Sequence, residues 1–184
     1  MKHCSQINNN LDLSCLESST PEFHRLYSKR QKYNKDIEDD YKLVPTSTYK
    51  LSKEVVDNLI AQLPIGVLRI EVPQVFILQM DPSDHKNPVL GAHVDFNRSC
   101  GINVYLDANG EITHYYKWDK EKKKLEEEER FVAKQGDCWL MDTSIPHSVS
   151  LVTGKKRSML TFSFVHAKYE QIKSELNSVG FHKA

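Results

Sequence analysis

The strongest constraint on the fold is a run of short stretches in which apolar and polar residues alternate. Each stretch is closed by turn-forming residues. From Gly66 onward the apolar spacing changes from helical to period two. Eight stretches follow, at 74–80, 89–95, 101–107, 112–118, 129–134, 138–142, 147–152 and 157–165. The sequences DPSDHKNP, DANG, KQGD and TGKK separate them with residues that favour turns. Successive side chains on a strand point to opposite faces, so each stretch can bury one side and wet the other. Eight short strands at this spacing predict a mainly β chain, a jelly roll or a sandwich. Residues 67–72 read as a further strand.

The flanks read as helices. Thr20-Pro21-Glu22 places a hydroxyl cap, a proline and an acid where a helix begins, and predicts a helix over 21–36. Its aromatic residues Phe23, Tyr27 and Tyr33 suit packing on a sheet. Ser52 opens a second helix over 52–63. There Val55, Val56, Leu59, Ile60 and Leu63 recur at helical spacing, and Pro64 stops it. AKYEQIKSELNSVG reads as a closing helix, with Gly180 as its stop. Residues 1–19 are polar, carry an Asn run and are expected to be mobile. Residues 20–184 are expected to form one domain.

Composition narrows the class. The 184 residues are 39% hydrophobic and 27% charged, as in a soluble globular chain. Formal net charge is zero, which implies no general attraction to nucleic acid or to an anionic membrane. No apolar run approaches the roughly 20 residues that span a bilayer. MKHCSQINNNLDLSC lacks the apolar segment of a leader. Cys4, Cys15, Cys100 and Cys138 show no CxxC pairing, so a reducing, cytoplasmic setting is expected.

The candidate chemistry lies between Val89 and Phe164. In VLGAHVDF, His93 and Asp95 are two apart on a strand and share a face, so both can grip one ion. His147 follows 54 positions after His93, and Arg157 comes 10 positions after that. Two imidazoles and one carboxylate on one face leave coordination positions open, the arrangement of non-haem Fe(II) oxygenases. Each residue also has an ordinary reading. His-x-Asp occurs as a surface pair, His147 follows a proline as turn histidines do, and Arg157 follows a Lys-rich turn. Order and strand context favour a joint metal site of His93, Asp95 and His147.

In that order the chain resembles the 2-oxoglutarate/Fe(II)-dependent oxygenase superfamily, in its prolyl-hydroxylase-like branch. The resemblance covers roughly residues 74–165. GINVYLDANGEIT is similar to that branch's strand and Gly-rich Glu-Thr turn, and AKQGDCWLMDTSIPHSV to its stretch before the distal histidine. Asn109-Gly110-Glu111-Ile112-Thr113 departs from the usual glycine pair, and Met159 stands where Ser is frequent. The resemblance implies a double-stranded β-helix (cupin-like jelly roll) with flanking N-terminal helices and a C-terminal helix. It implies Fe(II), 2-oxoglutarate as cosubstrate and dioxygen. His93, Asp95 and His147 would be the metal ligands and catalytic centre. Arg157 would hold the far carboxylate of 2-oxoglutarate with two parallel hydrogen bonds. Strand alternation places Arg157, Met159, Thr161 and Ser163 on one face, so Thr161 is a further candidate for the cosubstrate.

Candidates for substrate contact are Arg98, Asn103, Tyr105 and Tyr116. Asn103 and Tyr105 share a strand face opposite Ile102, Val104 and Leu106, which is either a cavity stripe or an exposed polar pair. Arg98, close after the metal motif, either holds a substrate carboxylate or caps the strand. Trp118 and Trp139 suit a core; His85 and His114 fall outside the ligand order. The charge run DKEKKKLEEEER at 119–130 reads as a solvated hairpin tip or as a flap over the substrate entrance.

The expected activity is hydroxylation of an amino-acid side chain, free or in a polypeptide, with release of succinate and CO2. The alternatives are a cupin-like module that binds a metal or small ligand without turnover, and a jelly-roll interaction domain. Arg157 separates the first from the second, because simple metal binding has no need of it. In the superfamily, nucleic-acid demethylases typically carry a second Arg six residues after the cosubstrate Arg. Ser163 stands there in this chain, and no basic stripe is present. No nucleic-acid or membrane partner is expected, and the sequence does not specify an oligomeric state.

Overall fold

In the computed structural model, residues 1–16, 22–24, 46–82 and 89–181 are described. In chain order the elements are β1 (Cys4–Ile7), β2 (Glu22–His24), β3 (Thr46–Lys50), α1 (Lys53–Ala61), α2 (Ile65–Ile70), β4 (Gln74–Met80), β5 (Val89–His93), β6 (Cys100–Asp107), β7 (Asn109–Asp119), β8 (Lys124–Lys134), β9 (Cys138–Asp142), β10 (His147–Ser150), β11 (Arg157–Phe164) and α3 (Tyr169–Ser178). One sheet runs β1-β9-β6-β11-β4-β3-β2 and the other β5-β10-β7-β8. Of the eight strands β4 to β11, the first, third, sixth and eighth lie in the large sheet. The second, fourth, fifth and seventh lie in the small one. This is a double-stranded β-helix, a mainly β jelly roll, and its eight strands are those the alternation predicts.

Alternation sorts the large sheet into two working faces. Ile102 and Val104 on β6, Leu140 on β9 and Leu160 and Phe162 on β11 pack outward, beneath Val55 and Leu59 of α1, Val67 of α2 and Ile172 and Leu176 of α3. Each such side chain contributes about 1.5–3 kcal/mol when fully buried. The opposite face meets the small sheet through Tyr105, Tyr115, Phe131, Trp139 and Met159. One face therefore carries the main core, and the other is left to line an interior space.

Several elements differ from expectation. The helix over 21–36 lies largely outside the described residues, but Glu22–His24 is a strand paired with β3. Residues 67–72 do not form a strand, because Ile65–Ile70 is a short helix starting after Pro64. Proline presets the first helical turn there, and a short apolar run does not itself distinguish helix from strand. The N-terminal stretch expected to be mobile supplies β1, which pairs with β9 and buries Cys4 and Ile7. The 52–63 helix and the closing helix are present as α1 and α3. Ser52 caps α1 by accepting a hydrogen bond from the Val55 N–H, and Gly180 adopts φ 75° after α3.

Candidate active site

Strand register brings the histidines together. His93 ends β5 and His147 begins β10, and the two residues are direct partners across the ladder. Their rings lie 4.4 Å apart between centroids. In each ring Nδ1 faces a backbone carbonyl, Gly91 O at 2.8 Å and Ile145 O at 2.9 Å. A carbonyl only accepts, so Nδ1 carries the proton and Nε2 presents a lone pair. Asp95 Oδ1 lies 3.4 Å from His93 Nε2. Ligand atoms of His93, Asp95 and His147 all fall within 4.8 Å of one another. Two neutral imidazole nitrogens and one carboxylate, held by second partners, form a donor set that suits Fe(II).

Burial and charge keep these groups ready to ligate. Burial and the neighbouring His93 push the His147 imidazole down to about 4, so it stays neutral at ordinary pH. Burial raises the Asp95 carboxyl, but Arg98 and the two imidazoles outweigh that and hold it well below the usual carboxylate range. Arg98 Nε donates to Asp95 Oδ2 at 2.5 Å and fixes the oxygen that faces away from His93. The loop between β5 and β6 is itself pinned. Asp95 N–H donates to Thr143 O, and Thr143 Oγ1 donates to Arg98 O.

The three candidate ligands open onto a cavity of about 760 Å³, whose lining includes Arg98, Asn103 and Arg157. Arg157 is 2% exposed. Its Nη2 donates to the Tyr105 hydroxyl at 3.1 Å and its Nη1 to Met80 Sδ at 3.4 Å, while Nε has no partner. No carboxylate among the described residues pairs with it. A buried guanidinium held only by neutral groups is strongly disfavoured unless an anion completes the site.

The remaining candidates are distributed unevenly. Asn103 is fully buried on the cavity wall, where its Oδ1 accepts from Thr161 Oγ1 at 2.9 Å. Thr161 therefore supports Asn103 and is not itself among the residues lining the cavity. Tyr105 is also absent from the lining and serves Arg157 from behind. Tyr116 does not face the cavity. Alternation on β7 turns Tyr115 inward, 5.9 Å from His147, and leaves the Tyr116 hydroxyl bonded to Ser148 on the outer side. Trp139 stacks on Phe131, and Trp118 is 49% exposed. No residue of 119–130 lines the cavity; the run forms the largely exposed tip of the β7–β8 hairpin and the start of β8, where Glu128 and Glu129 bond to Lys2 and His3. Thr48, Lys50, Gln74 and Phe96, which no motif marks in the sequence, also line the space. Thr48 Oγ1 is buried there without a partner. TSTYK at 46–50 carries a strand-like alternation that marks this element, but nothing in it points to a site.

No protein-family model and no curated protein matches this sequence. Among solved structures, the ribosomal oxygenase YcfD from Escherichia coli is similar over 87% of this chain and 44% of its own, at 10% identity and a TM-score of 0.46. An oxidoreductase of the 2OG-Fe(II) oxygenase family from Burkholderia pseudomallei is similar over 51% of this chain and 42% of its own, at 16% identity and a TM-score of 0.35. Vicilin from Corylus avellana (hazelnut) is similar over 77% and 33%, at 10% identity and a TM-score of 0.42. The chain thus spans less than half the length of these three proteins. Likeness at this level carries no activity over to this chain.

Proposed function

We propose that the protein is an Fe(II)- and 2-oxoglutarate-dependent dioxygenase that hydroxylates an amino-acid side chain, free or in a polypeptide. The observation that carries this reading is Arg157, a buried cation without an acidic partner, in the same cavity as a two-histidine, one-carboxylate set. Metal binding alone has no use for that guanidinium. A cosubstrate with one carboxylate for the metal and a second for Arg157 uses both features.

The residues divide the work. His93 and His147 would offer Nε2 and Asp95 Oδ1 to the metal, with Arg98 holding the other carboxylate oxygen. Arg157 would take the distal carboxylate, and Tyr105 and Met80 keep its plane fixed. Asn103, whose Oδ1 accepts from Thr161 and whose Nδ2 donates to Met141 Sδ, forms part of the cavity wall. When bound, Fe(II) supplies the redox chemistry by which dioxygen and 2-oxoglutarate oxidise a C–H bond. One oxygen atom leaves in succinate, with loss of CO2, and the other enters the product as a hydroxyl. The walls would position the reactants.

The test supplies the purified protein with Fe(II), 2-oxoglutarate and air, and follows succinate with and without candidate amino acids and peptides. Succinate should form in the wild type. Asp95→Ala should bring it to background, because two imidazoles hold iron weakly. Succinate formation at the same rate in Asp95→Ala would contradict the reading.

A further inference from the structure

The cavity's lining is rich in cations. Lys50, Arg98 and Arg157 line it, and Asp95 is the single carboxylate among the described lining residues. Arg157 would be matched by the distal carboxylate of 2-oxoglutarate, and the metal by its other end. Asp95 is shared between the metal and Arg98. Positive charge therefore remains in excess once metal and cosubstrate are seated, and it resides at Arg98 and Lys50.

Arg98 is placed to meet an incoming group. It uses Nε on Asp95, while Nη1 is buried with no partner. Its guanidinium lies over Gly101, where an added Cβ would come within 3.3 Å of Nη1. Gly101 shares a β6 face with cavity-lining Asn103, so the absence of a side chain at 101 lets the guanidinium lie inside the barrel. Beside it on the chain, Phe96 lines the same space and is 68% exposed, an apolar surface at the entrance.

We infer that the substrate docks through a carboxylate on Arg98, with Lys50 as a second cation at the entrance and Phe96 covering its apolar part. This rests on the oxygenase reading above and narrows it to acidic substrates. The carboxylate can be the main-chain group of a free amino acid or the side chain of an Asp or Glu in a peptide.

The experiment has two arms, each run with Fe(II), 2-oxoglutarate and air. One compares free L-amino acids with their carboxamides. The other compares end-capped peptides bearing Asp or Glu with the same peptides bearing Asn or Gln. Stimulated CO2 release and gain of one oxygen by the additive are read together. Acids should outrun their amides by about 30-fold or more in kcat/KM, as expected for a charge-assisted pair with a largely buried guanidinium. The arm in which this occurs identifies the source of the carboxylate. Arg98→Gln should reduce the acid-to-amide ratio below about 3-fold, and Lys50→Gln should lower it by about 3-fold. The ratio is informative because any loss of metal in Arg98→Gln scales both numbers equally. A panel in which no acid outruns its amide overturns the inference, and so does an unchanged ratio in Arg98→Gln. Failure of the wild type to bind 2-oxoglutarate at all, read by anaerobic calorimetry, overturns the oxygenase reading instead.

Discussion

Asp95 stands between His93 on one side and the Arg98 guanidinium on the other, and each neighbour constrains one of its oxygens. His147 shows the same economy: its Nδ1 proton is given to Ile145 O, which leaves Nε2 unprotonated. The pH dependence follows. The His147 imidazole titrates near 4 in the folded chain against an ordinary value of 6.5. The unfolded chain thus takes up a proton that the folded one refuses. Stability is full above about pH 6.5 and falls as pH drops towards 4, by about 3 kcal/mol. Denaturant titrations of the metal-free protein across that range should show this slope, and His147→Asn should flatten it. At Arg157, replacement by Lys keeps the charge but not the fork. Affinity for 2-oxoglutarate should fall by roughly 10- to 100-fold, and an unchanged affinity would remove Arg157 from the cosubstrate site. His93, Asp95, His147 and Arg157 were legible in the sequence from their order and spacing, although Asp95 lies in the loop just after β5 and not on the strand itself. Tyr116 was not, since alternation specifies which residues share a face but not which face is inside. Thr48 was not, because a threonine on an unassigned strand has no motif to mark it.

At the level of elements, β1 completes the large sheet by pairing with β9, and Ile7 is buried in the main core. Ile7→Ala should lower stability by about 2–4 kcal/mol, visible as a fall of roughly 5–15 °C in Tm. An unchanged Tm would mean that the N-terminal stretch is not part of the fold. The sequence concealed β1 because its four residues are short and its neighbours polar; only the edge offered by β9 gives it a place. The β7–β8 hairpin is the opposite case. Lys122 pairs with both Asp119 and Glu126 around its tip, in solvent. Lys122→Ala should leave both Tm and 2-oxoglutarate turnover unchanged, because exposed pairs contribute little and the hairpin does not reach the cavity. The inner strands β4 to β11 were readable to within about five residues, because turn residues bound each one and apolar positions recur at period two, even in β6, β9 and β11, which are buried on both faces.

For the whole molecule, the two sheets divide structure from chemistry. The large sheet's outer face, under α1, α2 and α3, holds the main core, and the space between the sheets holds a cavity with three candidate ligands and a buried cation. No helix among the described residues is long and apolar enough to cross a membrane. The central claim is that metal and 2-oxoglutarate share this cavity, the one through His93, Asp95 and His147, the other through Arg157. Anaerobic calorimetry of 2-oxoglutarate binding, with and without Fe(II), tests it most directly. One site per chain is expected, with tight binding only when metal is present and at least a tenfold loss in either Asp95→Ala or Arg157→Lys. Binding that is equally tight without metal, or unaffected by both substitutions, would contradict it.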